Sequence, residues 1–110
     1  MLKLYNTFGK SKQNFKPIKK DFVGIYTCGL TVYNYGHIGN YRAFVASDIL
    51  KRYLEYKKYK VKKVVNITDV DDKTIKNSVQ EGKNLKEYTK KYTDIFFEDG
   101  VYSATVFYAK

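Results

Sequence analysis

The chain has 110 residues and a formal net charge of +10, with 21 Lys and Arg residues against 11 Asp and Glu residues. This length suits one domain and is too short for two complete ones. Hydrophobic residues make up 44% of the chain and aromatic residues 17%, which excludes a disordered basic arm and predicts a packed core.

The first predicted element is a hairpin or edge ribbon. Residues 2–5 are strand-like, and the turn residues Gly9, Lys10 and Ser11 follow them. A second extended stretch is predicted around Phe15–Ile18.

Two strands with a helix between them form the centre of the predicted fold. The segments Phe22–Cys28 and Val61–Ile67 are short, apolar and β-branched, which is typical of buried strands. Between them, apolar residues recur at three- and four-residue intervals and predict a helix over Tyr41–Tyr56. Strand, helix and strand make a βαβ unit, so we expect a parallel pair with a right-handed crossover.

Two more helices are predicted before Gly100. One runs over about Asp71–Gln80. The other begins near Asn84, which has capping-box spacing with Glu87. Its predicted buried face consists of Leu85, Tyr88, Tyr92, Ile95 and Phe96. Residues 101–108 have high strand propensity instead. The sequence therefore divides into residues 1–99 and an atypical tail, residues 100–110.

The cysteine count and the hydropathy pattern predict the compartment. The single cysteine, Cys28, cannot form an internal disulfide, and no secretory signal pattern is present. No apolar stretch approaches the roughly 20 residues that a bilayer-spanning helix needs. We therefore expect a cytoplasmic protein without a membrane partner.

Glycines and polar residues follow both central strands. Because ligands of parallel sheets bind beyond the carboxyl ends of the strands, the candidate site lies in residues 28–40 and 66–72. The first segment leads into a helix through His37, Ile38, Gly39 and Asn40. Its glycines allow close approach to phosphate, the helix N-terminus attracts anions, and His37 can donate to a developing phosphate charge. The second segment carries amide, hydroxyl and carboxylate groups that could hold a small ligand.

Three motifs in this order resemble one family. The sequences CGLTVY at residues 28–33, HIGN at residues 37–40 and NITDVDDK at residues 66–73 are together similar to the amino-terminal part of cysteinyl-tRNA synthetases, which are class I aminoacyl-tRNA synthetases. The resemblance covers about residues 2–99. It implies an α/β, Rossmann-like (HUP-type), three-layer nucleotide-binding fold, of which this chain holds a truncated first half with parallel strands and a crossover helix.

The resemblance also implies an activity. The full protein would activate L-cysteine with ATP and Mg to cysteinyl-adenylate and transfer it to tRNA(Cys) in protein biosynthesis. Cys28 would be a ligand of a Zn ion that captures the substrate thiolate. The residues implied in catalysis are His37, Gly39 and Asn40, where Asn40 replaces the last histidine of the HIGH signature. The residues implied in substrate and adenylate binding are Gly29, Leu30, Thr31, Asn66 and Thr68.

The chain departs from the family chiefly in length. Further zinc ligands, the KMSKS loop and the anticodon-binding domain are missing, and residues 100–110 do not look like the family continuation. This suggests truncation or a frameshift. We therefore expect the fragment alone to be inactive in aminoacylation.

Other functions remain open beside this one. A related cysteine ligase with an amino-sugar acceptor would share the adenylating core. A noncatalytic truncated paralogue could bind RNA or protein, or associate with itself through an exposed sheet edge. RNA binding would use the cations of residues 51–63, which are Lys51, Arg52, Lys57, Lys58, Lys60, Lys62 and Lys63.

The candidate residues also have purely structural interpretations. Cys28 could be a small buried hydrophobe and His37 a capping residue. The acidic residues Asp69, Asp71 and Asp72 could simply favour a helix N-terminus, where carboxylates interact well with the helix dipole.

Overall fold

A computed structural model describes the backbone of residues 1–102 and the side chains of residues 1–99. Strands β1 and β2 form one small sheet, and β3 and β4 form another. The elements in chain order are β1 (Lys3–Asn6), β2 (Ser11–Asn14), β3 (Phe22–Thr27), α1 (Ile38–Tyr56), β4 (Lys60–Val65), α2 (Asp72–Gln80) and α3 (Leu85–Tyr102).

The predicted amino-terminal hairpin is confirmed, but its second strand begins earlier than predicted. β1 and β2 are antiparallel, with Asn6 opposite Ser11. The turn is tight because Asn6 Oδ1 accepts the Phe8 N–H at 3.0 Å and Lys10 adopts a φ of 47°. The prediction of Phe15–Ile18 as the second strand was wrong, because this ribbon is exposed along all of β2 and hydrophobicity does not mark its strands.

The predicted parallel pair and its crossover helix are confirmed. β3 and β4 are parallel, with Val23 opposite Val61 and Thr27 opposite Val65, and α1 connects them. Both strands end slightly before their predicted ends. α1 begins at Ile38, three residues before the prediction, because the side chain of the preceding residue caps it.

Helix α1 covers one face of the parallel pair. Val23 and Val65 are buried on this face, and Phe44 of α1 belongs to the same cluster as Val65. Phe22 and Tyr26 lie on the other face and are exposed, as expected from the alternation of side chains along a strand. Among the described elements only α1 packs extensively on β3 and β4. Self-association through this small sheet stays a prediction.

The larger part of the hydrophobic core lies around the carboxyl ends of β3 and β4, where α3 packs. One cluster contains Leu30, Phe44, Val65 and Phe96. The other contains Val32, Tyr88 and Tyr92. The predicted buried face of α3 is confirmed, since Tyr88, Tyr92 and Phe96 are buried and Leu85 and Ile95 are half-buried. The core therefore joins α1 to α3 directly over the segments that follow the strands.

Helix α3 continues past the predicted boundary at residue 100. It ends at Tyr102, so the strand prediction for residues 101–108 was wrong at its first two residues, and the other six lie outside the described residues. The division of the chain into residues 1–99 and 100–110 stays a prediction. In the part of the chain that the structure describes, no helix has the length and apolarity needed to cross a membrane.

The aromatic contact between α1 and α3 predicts a large effect on stability. Phe96 is 1% exposed and its ring centroid lies 5.5 Å from that of Phe44. Phe96→Ala should lower the free energy of unfolding by about 3–5 kcal/mol in urea titrations, because it leaves a cavity in the core. Val79→Ala is the control, since Val79 is 73% exposed and should change stability by less than about 0.5 kcal/mol. Equal losses for both variants would contradict the packing.

Candidate functional site

The two polar segments predicted to form the site lie side by side. Thr31 and Thr68 form an isolated parallel bridge beyond the ends of β3 and β4. The Val32 N–H donates to the Thr68 carbonyl at 3.1 Å, and the Thr68 N–H donates to the Leu30 carbonyl at 3.1 Å. These backbone bonds continue the pairing of the sheet after a short interruption. The expectation that both segments meet at one edge of the sheet is confirmed.

Gly29 permits an unusually close contact between the two segments. Its N–H donates to Asn66 Oδ1 at 2.9 Å. A Cβ added at Gly29 would lie 1.7 Å from the Asn66 carbonyl oxygen, so no other residue fits without a backbone shift. The Asn66 amide also donates to Thr68 Oγ1 at 3.4 Å. The predicted binding residues Gly29, Asn66 and Thr68 therefore form one hydrogen-bonded group.

This contact predicts different effects for two glycine substitutions in or beside β3. Gly29→Ala should lower the free energy of unfolding by about 1–3 kcal/mol, because the new methyl group collides with backbone. Gly24→Ala should be neutral or stabilising by up to about 1 kcal/mol, because a Cβ there meets nothing within 4 Å and alanine restricts the unfolded chain. Chemical denaturation of both variants checks this. A Gly29 variant as stable as the Gly24 variant would disprove the close contact.

The start of α1 is organised by reciprocal capping bonds. His37 is the N-cap residue, and its Nδ1 accepts the Gly39 N–H at 3.1 Å. In return, Asn40 Oδ1 accepts the His37 N–H at 2.9 Å. Histidine is an unusual N-cap, because serine, threonine, asparagine and aspartate are preferred there. The structural interpretation of His37 as a capping residue is thus confirmed.

Capping also determines which nitrogen of His37 can act on a ligand. Because Nδ1 accepts a hydrogen bond, the neutral imidazole carries its proton on Nε2. Nε2 then remains a donor on an exposed side chain. The amide nitrogen of Asn40 is left as a second donor, since its oxygen is bonded to the His37 N–H. The atoms that form the cap are therefore different from the donors that remain for a ligand.

Tyr41 connects this capped turn to α3. A Cβ at Gly36 would lie 2.5 Å from the Tyr41 hydroxyl oxygen, so the loop before His37 lies directly against the tyrosine ring. The Tyr41 hydroxyl donates to Asp99 Oδ2 at 3.1 Å, and the ring stacks on Phe96 with centroids 6.4 Å apart. Burial, and then the hydrogen bond to Asp99 and its negative charge, raise the pKa of Tyr41 to about 12.

The raised pKa of Tyr41 predicts a pH dependence of stability. The pKa of Tyr41 is about 12 in the folded chain and has an ordinary value of 10.0, so the neutral hydroxyl stabilises the fold. This stabilisation is complete below pH 10 and is lost as the pH rises to 12. Tyr41→Phe should therefore lose less free energy of unfolding than the unsubstituted chain over that interval. Tyr56→Phe, at an exposed tyrosine of the same helix, should lose as much as the unsubstituted chain. If the free energy of unfolding of all three proteins falls equally over this interval, the raised pKa of Tyr41 is refuted.

A cavity of about 470 Å³ lies between these elements. Five predicted site residues line it, namely Gly29, Leu30, Thr31, His37 and Asn40. Gly39, Asn66 and Thr68 do not line it but are hydrogen-bonded to residues of this region. The cavity also contacts Tyr33 and Lys73, which belong to the motifs, and Asn34 and Tyr35, which lie between the first two motifs. The prediction selected none of these four residues. The structure therefore brings the predicted catalytic and binding residues to one place.

Lys73 is the charged cavity residue that the sequence analysis missed. It lies in the first turn of α2, and its Nζ is 4.9 Å from the centroid of the Tyr33 ring. Its neighbour Asp71 is the N-cap of α2 and accepts the Lys73 N–H at 2.8 Å. Asp71 thus has the structural role that its position suggested. The available signal for Lys73 was its place at the start of a helix that directly follows a strand.

Comparison with known sequences identifies the family. The sequence model of the tRNA synthetases class I (C) catalytic domain matches residues 14–104. The chain belongs to this family. Its assignment confirms the resemblance and the Rossmann-like fold class, because class I synthetase catalytic domains have that fold.

Three similar proteins from different organisms are named cysteine–tRNA ligases. A cysteine–tRNA ligase of Brachyspira hyodysenteriae is 56% identical over 106 residues, covering 93% of this chain and 22% of the relative. One of Methanosarcina mazei is 54% identical over 98 residues, covering 89% and 21%. One of Pyrococcus furiosus is 48% identical over 99 residues, covering 90% and 21%. The chain thus spans about a fifth of the length of these relatives.

Cys28 lies directly after β3 and is exposed. The family resemblance implies that it is a zinc ligand. Exposure argues against its interpretation as a small buried hydrophobe. Cys28 does not line the cavity, although its neighbour Gly29 does. Among the residues whose side chains are described, no group of three His, Cys, Asp or Glu residues could hold a metal ion. These residues therefore do not make up a complete zinc site.

Three of the seven cations of residues 51–63 are ion-paired or buried. Lys51 pairs with Glu55 at 3.3 Å and Arg52 with Asp48 at 2.6 Å. Lys63 is 7% exposed, and burial lowers its pKa. The exposed lysines that remain are Lys57, Lys58, Lys60 and Lys62. The structure thus adds nothing in favour of the RNA-binding alternative.

Proposed function

We propose that this chain forms the cysteine- and ATP-binding part of a cysteine–tRNA ligase catalytic domain. In the complete enzyme, L-cysteine and ATP would form cysteinyl-adenylate, and the cysteinyl group would pass to tRNA(Cys) in the cytoplasm. The observation that carries the proposal is a cavity that both the Gly29–Thr31 segment and the capped start of α1 line. The names of the relatives favour tRNA over an amino-sugar as the acceptor.

The strand-end residues would bind the amino acid. Thr31 and Thr68 form the bridge between the segments, and Asn66 is bonded to both Gly29 and Thr68. Hydroxyl and amide groups held by a backbone bridge are suited to orient the amine and carboxylate of a small substrate. The absence of a side chain at Gly29 lets the two segments approach each other, and residues 29–31 then line the cavity in which the substrate would bind.

The start of α1 would bind the nucleotide. Its N-terminus has partial positive charge, and His37 Nε2 and the Asn40 amide are the donors left free by capping. In adenylate formation a cysteine carboxylate oxygen attacks the α-phosphorus, a new O–P bond forms, and the bond to the bridging oxygen breaks as pyrophosphate leaves. His37 would stabilise the charge on the non-bridging oxygens by donating from Nε2. Mg would accompany ATP as part of the substrate.

A zinc ion held by Cys28 and further ligands would bind the thiolate of the substrate cysteine. The residues described here provide Cys28 as the one ligand that the family resemblance implies, and no metal-binding group of three. Inactivity of the 110-residue chain by itself stays a prediction.

The nucleotide-binding role of the α1 start predicts a spectroscopic result. His37 is the single histidine of the chain, so its imidazole resonances in NMR report on this site alone. A sulfamoyl analogue of cysteinyl-adenylate should shift them in a saturable titration. Asn40→Ala should bind the analogue about ten-fold more weakly, since a hydrogen-bond donor and half of the cap are lost.

The control for this titration is Asn14→Ala, because Asn14 is an exposed residue of β2. This variant should bind like the unsubstituted chain. Circular dichroism establishes that each variant is folded. Unmoved His37 resonances in the folded, unsubstituted chain would overturn the proposed function.

A further inference from the structure

We propose that Lys73 binds the phosphate groups of the nucleotide in this cavity. The inference rests on the proposed function and names the residue of this chain that would neutralise the anionic part of ATP. Among the described residues that line the cavity there is no carboxylate, and Lys73 is the one side chain with a permanent charge. An anion entering the cavity therefore meets a single cation and no opposing negative charge from the lining.

Lys73 forms no ion pair with a carboxylate among the described residues. Within the described residues, the lysines in ion pairs are Lys51, Lys83 and Lys90, and Lys73 is not among them. Asp71, two residues earlier, is engaged in capping α2 through the Lys73 N–H. Asp69 and Asp72 do not line the cavity. The ammonium group thus remains available to a ligand.

An aromatic ring holds the side chain of Lys73 without neutralising it. Nζ lies 4.9 Å from the centroid of the Tyr33 ring, a distance at which the ring quadrupole attracts a cation. The backbone of Tyr33 is itself fixed, since its carbonyl accepts the Tyr88 hydroxyl at 2.5 Å and the Asn77 amide at 3.4 Å. Helices α2 and α3 therefore both position the platform on which Lys73 lies.

The composition of the cavity favours phosphate as the partner of Lys73. The lining also contains His37 and Asn40 at the positive end of α1, which favours an anion as well. A lysine ammonium acts on phosphate as a point charge and needs no planar match, unlike arginine. Adenosine has no charge for Lys73 to contact. The contribution of Lys73 to binding should therefore grow with the number of phosphate charges.

This dependence on ligand charge is the test. ATP, AMP and adenosine are titrated into the unsubstituted chain, Lys73→Gln and Lys76→Gln, with the His37 resonances as the signal and ionic strength held constant. Lys76 is the matched control because it is an exposed lysine of α2 that does not line the cavity, and its loss changes the net charge equally. Lys73→Gln should weaken ATP binding about ten-fold, AMP binding less, and adenosine binding by less than about two-fold. Lys76→Gln should change each affinity by less than about two-fold.

The outcomes separate this inference from the proposed function. Equal weakening of ATP and adenosine by Lys73→Gln would mean that Lys73 only supports the structure, and the inference would be overturned. The same holds if the two variants weaken ATP binding equally, because net charge would then explain the effect. If no adenine ligand moves His37 in the folded, unsubstituted chain, the proposed function fails and the inference fails with it.

Discussion

At the ends of β3 and β4, the backbone of Gly29 lies so close to the Asn66 carbonyl that no side chain fits between them. This contact sets the distance between the two segments that follow the strands. It allows the Gly29 N–H to reach Asn66 Oδ1 and the Thr31–Thr68 bridge to form immediately beyond it. The cavity wall contributed by residues 29–31 depends on this spacing. A larger residue at position 29 would separate the segments before any ligand could be bound.

The other wall of the cavity depends on packing between helices that are distant in sequence. The capped turn at His37 follows a loop that lies against the Tyr41 ring, and Tyr41 is held by Phe96 and Asp99 of α3. Helix α3 also fixes Tyr33 through the Tyr88 hydroxyl, and Tyr33 in turn supports Lys73. None of the α3 residues whose side chains are described lines the cavity. It nevertheless helps to position His37 and Lys73, because it contacts Tyr41, against which the loop before His37 packs, and Tyr33, on which Lys73 lies.

Prediction succeeded where a local pattern had one physical explanation. Two short apolar strands separated by an amphipathic helix bury their apolar residues best as a βαβ unit. The expected parallel pair is present. It failed for β2, whose residues are polar on both faces, and for the first turn of α1, where a histidine cap is rare. It also counted Lys63 as a surface cation, although α1 and β4 bury it. In each case the outcome depended on neighbours that a sequence pattern does not contain.

The sequence by itself determined the family and the position of the candidate site, because three motifs and the βαβ pattern are local features that each follow from a short stretch of residues. It also named Gly29, Thr31, His37 and Thr68 as candidate site residues before any distance was known. The tertiary structure alone decided which atoms of these residues remain available, since capping uses Nδ1 of His37 and Oδ1 of Asn40. It alone placed Lys73 in the cavity, because that position results from α2 and α3 packing against Tyr33, an arrangement of residues far apart in the chain.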